Sequence, residues 1–74
     1  MTEHRRLTRK LVREGAYCAE VEVTLMEDGH EWSPYLSMED VRRLDEARLA
    51  LRRGDLAAAA RLGRVYELVP VTPD

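Results

Sequence analysis

Cysteine occurs only once in this 74-residue sequence, at Cys18, so no internal disulfide can brace the fold. A lone thiol suits a reducing compartment. Histidine is almost as scarce. His4 and His30 stand far apart from each other and from Cys18, with no Cys-x-x-Cys or His-x-x-x-His spacing to gather metal ligands. No apolar run approaches the ~18 residues of a membrane span. The charged start Met1-Thr2-Glu3-His4-Arg5-Arg6 leads into no signal-like apolar stretch, so a cytoplasmic location is expected. Ser33 and Ser37 lie in no Gly-x-Ser-x-Gly context, and no glycine-rich loop could cradle a phosphate. Nothing points to catalysis, and no cofactor is expected.

What is present is one small domain with marginal resources. A chain of this length buries only about 60–65% of the surface its unfolded form exposes. Small domains make up the deficit with disulfides, metal or association, and here only association is left. Charge is strongly segregated behind a net value of −2. Residues 1–13 carry five basic residues and one acid, whereas residues 14–41 carry eight acids and neither Lys nor Arg. Residues 42–64 return to seven Arg against three acids. Separate acidic and basic fields favour steered pairing, within the fold or between chains.

The clearest pattern is an alternation of two. Tyr17, Ala19, Val21, Val23 and Leu25 interleave with Cys18, Glu20, Glu22, Thr24 and Met26, which reads as a half-buried strand with one wet face. Arg9-Lys10-Leu11-Val12-Arg13 is a second strand, joined through Glu14-Gly15-Ala16. A three-residue loop would pair Leu11 with Ala19 and Leu7 with Val23 on the core side, and would oppose Lys10 to Glu20. A two-residue loop would instead set Leu7 beside Glu22, so the longer loop is preferred.

Helical signals follow. Ser37 precedes Glu39 and Asp40, an N-cap with early acids that suit the helix dipole. The expected inner stripe is Met38, Val41, Leu44, Ala47 and Leu51, with Glu39–Arg43 and Arg42–Glu46 pairs outside, each worth about 0.2–0.5 kcal/mol. Gly54 ends this helix, and Asp55 caps a second over Leu56–Leu62, stopped near Gly63. Val65–Val69 then reads as a third strand held to an edge or an end by Pro70. Alternatively, the second helix continues through Gly63 to Leu68, at about 1 kcal/mol for a mid-helix glycine. The expected class is α+β: a ββααβ domain with a three-stranded antiparallel sheet and two helices on one face.

The stretch Trp32-Ser33-Pro34-Tyr35-Leu36-Ser37 places the only Trp and one of three Tyr in a connector. Such aromatics either close a core or anchor a partner. Trp32, Tyr35 and Leu36 are therefore the candidate anchor, with Glu20 and Glu22 on the acidic strand face setting specificity. His30, beside Asp28 and Glu31, has the makings of an acid–base pair but reads as a solvated loop histidine. Cys18 shares the face of Glu20 and has nothing to activate its thiol. Arg5, Arg6, Arg9 and Lys10 form a basic arm and strand, the basis of an alternative role in nucleic-acid binding. A strand followed by two helices also resembles ribbon-helix-helix repressors, although the acidic face of the best strand would repel phosphate.

Glu14-Gly15-Ala16-Tyr17, Ala19-Glu20-Val21-Glu22-Val23, the Trp32–Ser37 run and Arg52-Arg53-Gly54-Asp55-Leu56 together resemble short uncharacterised prokaryotic proteins over most of the chain. Small proteins of that kind include antitoxin-like partners of bacterial toxins. The resemblance implies a small cytoplasmic bacterial or archaeal protein and points toward an antitoxin-like role, from which this chain departs in having no recognisable DNA-reading helix and no disordered toxin-wrapping tail.

Overall fold

The computed structural model describes residues 4–27 and 35–72. Two strands of equal length, β1 (His4–Glu14) and β2 (Tyr17–Glu27), form an antiparallel hairpin. Two short strands complete the sheet: β3 (Tyr35–Leu36) and, after the helices, β4 (Arg64–Glu67). Between them lie α1 (Met38–Arg52) and α2 (Leu56–Leu62). The result is a small α+β domain with an antiparallel sheet and both helices packed against it. Beyond the three strands read from the sequence, β3 adds a fourth, and the segment after Gly63 is strand rather than helix.

The hairpin register corrects the sequence reading. Glu14 pairs with Tyr17, so Gly15 and Ala16 alone form the turn. Gly15 has φ +61° whereas Ala16 has a negative φ, the sign pattern of a type II′ turn, which suits the right-handed strand twist. Leu11 therefore opposes Glu20, Leu7 opposes Thr24 and Lys10 opposes Val21. A slip of one residue moves a whole strand's side chains to the other face. Leu7 and Leu11 are consequently turned outward, each 67% exposed, and Val12, opposite Ala19, enters the core at 3% exposure.

β2 is the hub. β1 pairs along one edge, and β4 and β3 divide the other: β4 covers Tyr17–Glu20 and β3 covers Leu25–Met26. The helix-facing side of β2 presents Ala19, Val21 and Val23 to Ala47, Ala50 and Leu51 of α1 and Ala59 of α2. Alanines on both layers bring helix and sheet backbones close together. Gly63 makes the closest approach, since a Cβ there would run into the Glu20 carbonyl.

Both helix starts are capped as read. The Ser37 hydroxyl accepts the Asp40 N–H at 3.1 Å, and the Asp55 carboxylate accepts the Ala58 N–H at 3.1 Å. Gly54, with φ +76°, makes the break between the helices. The inner stripe of α1 differs from expectation. Leu44, Ala47 and Leu51 do pack inward, joined by Ala50, but Met38 and Val41 are exposed. Asp40 and Arg43 take the sheet-facing positions in the first turns, for a reason found at the edge of β2. Arg43 thus pairs with Asp40 rather than Glu39, and Arg42–Glu46 is not among the ion pairs of the described residues. No helix is long and apolar enough to cross a membrane among the described residues.

Candidate functional site

β2 has a gap in its edge between the stretches covered by β4 and β3, and two side chains of α1 fill it. The Thr24 N–H donates to Asp40 Oδ2 at 2.9 Å, and Arg43 Nη1 donates to the Glu22 carbonyl at 2.9 Å. Arg43 also donates to Asp40 Oδ1 at 3.2 Å and, through Nη2, to the Leu62 carbonyl at the end of α2 at 3.3 Å. One guanidinium thus ties together strand, first helix and second helix. These donors and acceptors are satisfied within the fold, which marks the cluster as structural.

A second charged cluster closes the hairpin end. Arg52 donates to both Glu14 carboxylate oxygens, from Nε at 3.2 Å and Nη2 at 3.1 Å, and Arg48 approaches the same carboxylate at 3.9 Å. The bidentate hydrogen bond from Arg52 lowers the Glu14 pKa. Desolvation opposes this, and the positive charges of Arg52 and Arg48 reinforce it. Glu14 raises the Arg52 pKa in return, chiefly through the same hydrogen bond.

Among the described residues no helix packs on the other face of the sheet. Core residues and helices all lie on one side, so the opposite face carries the alternate residues of β1 and β2 together with Tyr66 and Tyr35. Running across the strands, Leu7 lies beside Thr24 and Arg9 beside Glu22, while Glu20 lies between Leu11 and Arg64, and Cys18 between Arg13 and Tyr66. On β1 this face alternates Arg5, Arg9 and Arg13 with Leu7 and Leu11, β2 contributes Glu20 and Glu22, and Arg9 opposes Glu22 directly. Tyr66 reaches Glu20 through a long 3.4 Å contact from its hydroxyl. Cys18 faces the same way yet is only 7% exposed, with the long side chains of Arg13 and Tyr66 on either side.

Glu20 and Glu22 share the open face. Tyr35 is exposed on β3, and Leu36 packs against the core beside Leu25. Trp32, His30 and Pro34 lie outside the described residues. Arg5 and Arg9 belong to the open face of β1, whereas Arg6 and Lys10 belong to the helix side, where Arg6 Nη2 meets Glu27 at 3.6 Å. The basic residues thus lie along one strand and divide between its faces. Leu7 and Leu11 were missed as surface residues because the register was read one residue out. A depression of about 250 Å³ between the helices, lined by Leu49, Ala50, Arg53 and Leu62, falls below the usual ~300 Å³ of a ligand pocket.

No protein-family model, curated protein or solved structure matches this chain.

Proposed function

We propose that this chain is a non-enzymatic protein-binding module whose open sheet face is closed by a second polypeptide, in the first instance a second copy of itself. The carrying observation is that a sheet with helices on one side only leaves Leu7 and Leu11 two-thirds exposed on the other. Antiparallel sheets commonly keep one wet, polar face, and here Leu7, Leu11, Tyr35 and Tyr66 set four exposed large side chains on it, the composition of a contact surface.

Charge favours a copy as occupant. A twofold axis parallel to the strands lays β1 of one protomer over β2 of the other. Arg9 then meets the partner's Glu22, and the reverse contact forms by symmetry. Sedimentation equilibrium at micromolar concentration tests this, with a dimer expected for the natural sequence and a folded monomer for the double substitution Leu7→Asn, Leu11→Asn. A natural chain that stays monomeric and melts at the same temperature at every dilution overturns the self-association reading. The antitoxin-like resemblance supports a cognate partner as the other protein occupant.

One observation favours a second reading, as a nucleic-acid-binding regulator. Arg5, Arg6, Arg9 and Lys10 follow one another along a single strand, a linear cationic footprint. Salt-dependent binding of DNA or RNA that Arg9→Gln with Lys10→Gln weakens would support it, and absence of binding at low salt would remove it.

A further inference from the structure

We propose that the outer edge of β1 is a strand-addition site for an acidic extended segment of another protein. This rests on the protein-binding reading of the chain but uses the strand's edge rather than the sheet's face. β1 spans His4–Glu14 and pairs with β2 along one side only; among the described residues no strand pairs with its other side. Eleven residues offer about 35 Å of edge. Its pairing with β2 is continuous from His4 to Glu14, without a bulge, and the strand contains no proline. Among the described residues, then, shortness, a bulge and proline are all absent as devices that blunt this edge. Its charge is what remains to guard it among these residues.

That charge selects the occupant. A second copy is a poor fit. Antiparallel self-pairing centred on Arg9 opposes Arg9 to itself and Arg5 to Arg13, and a centre on Lys10 opposes that lysine to itself. A centre between the two sets Arg9 against Lys10 and Arg6 against Arg13. All three central registers place like charges directly across the ladder, which is destabilising. An acidic strand reverses every sign, and the inner edge of β1 already provides the template: Glu22 opposes Arg9, and Glu27 reaches Arg6 at 3.6 Å. Because Arg5, Arg9 and Arg13 lie on one face and Arg6 and Lys10 on the other, the matching strand carries acids at both parities. Backbone hydrogen bonds would supply the binding, and the cations would supply register and selectivity.

The test uses the full chain and a fluorescein-labelled twelve-residue peptide rich in Glu, Val and Thr, followed by anisotropy at low salt. Three other probes accompany it: the same peptide with a central proline, its Lys-for-Glu counterpart, and single-stranded DNA. The expected result is saturable binding of the acidic peptide, weakened roughly tenfold or more by the proline and absent for the Lys peptide. Amide shifts along β1 should accompany binding, with β4 unmoved. Arg9→Glu with Lys10→Glu should abolish binding; should that variant not fold, the amide shifts of the natural chain decide alone. Equal binding of acidic and proline peptides would reduce the effect to loose charge attraction and overturn the proposal. Tighter binding of DNA than of peptide, or no peptide binding, would overturn it too. Sedimentation reports the dimer separately, so the open-face reading stands or falls on its own measurement.

Discussion

Asp40 on α1 accepts the backbone N–H of Thr24 on β2 at 2.9 Å, so a helix carboxylate stands where a neighbouring strand's carbonyl would otherwise be. Arg43, one turn on, does the complementary task for the Glu22 carbonyl. Together they let β2 be central although, among the described residues, two short strands cover its second edge.

Replacing Asp40 should expose what this bond contributes. Asp40→Ala leaves the Thr24 amide without its acceptor and Arg43 without its partner, and should cost about 1–3 kcal/mol. Urea denaturation gives the loss, and hydrogen exchange at the Thr24 amide should accelerate selectively. An unchanged exchange rate there would contradict the assignment.

Gly63 has extended backbone, φ −173°, which any residue can adopt, so strain is not the reason for glycine. Space is. Gly63→Ala would press a methyl against the Glu20 carbonyl and push β4 and α2 off β2, costing about 1–3 kcal/mol in thermal melts.

Register can be tested by a paired truncation at dilution low enough for the chain to be monomeric. Val12→Ala, at a buried position, should cost roughly 1–2 kcal/mol, and Leu11→Ala, at an exposed one, should stay within about 0.5 kcal/mol. The alternative hairpin register exchanges the two outcomes.

The Glu14–Arg52 pair sets a pH dependence. Folding lowers the Glu14 pKa from its ordinary 4.5, so the folded state binds its proton less readily than the unfolded chain. Its stabilising contribution is therefore complete above pH 4.5 and is lost as pH falls below that, through the lowered folded value. Glu14→Gln should melt lower than the natural chain at pH 7, with the difference closing on acidification. High salt should reduce the difference at neutral pH as well.

Much of this architecture was legible in the residues. The alternation from Tyr17 to Leu25, the caps at Ser37 and Asp55, and the Gly54 break place a strand and two helices, and the acidic face of β2 follows from the same alternation. The register was not legible, because β1 has apolar residues at both parities: Leu7 and Leu11 on one, Val12 on the other. Only the turn decides, and Gly15-Ala16 holds it to two residues. β3 was invisible because two residues carry no period of their own. The inward turn of Asp40 and Arg43 escaped the stripe argument, which counts apolar residues and does not see a polar side chain standing in for a strand. The basic run on β1 was read as charge, but its position at a sheet edge depends on strand order, a tertiary property.

The alanine-lined contact between the layers has a calorimetric consequence. Among the described residues the largest fully buried side chains are valines, so their burial contributes little hydrocarbon to the hydration change on unfolding. The heat-capacity increment should then fall below the roughly 0.9–1.1 kcal/mol/K typical of 74 residues, giving a shallow, broad dependence of stability on temperature. Covering the open face would add the missing increment, so calorimetry of the associated form should show a steeper, more curved profile than that of the isolated chain.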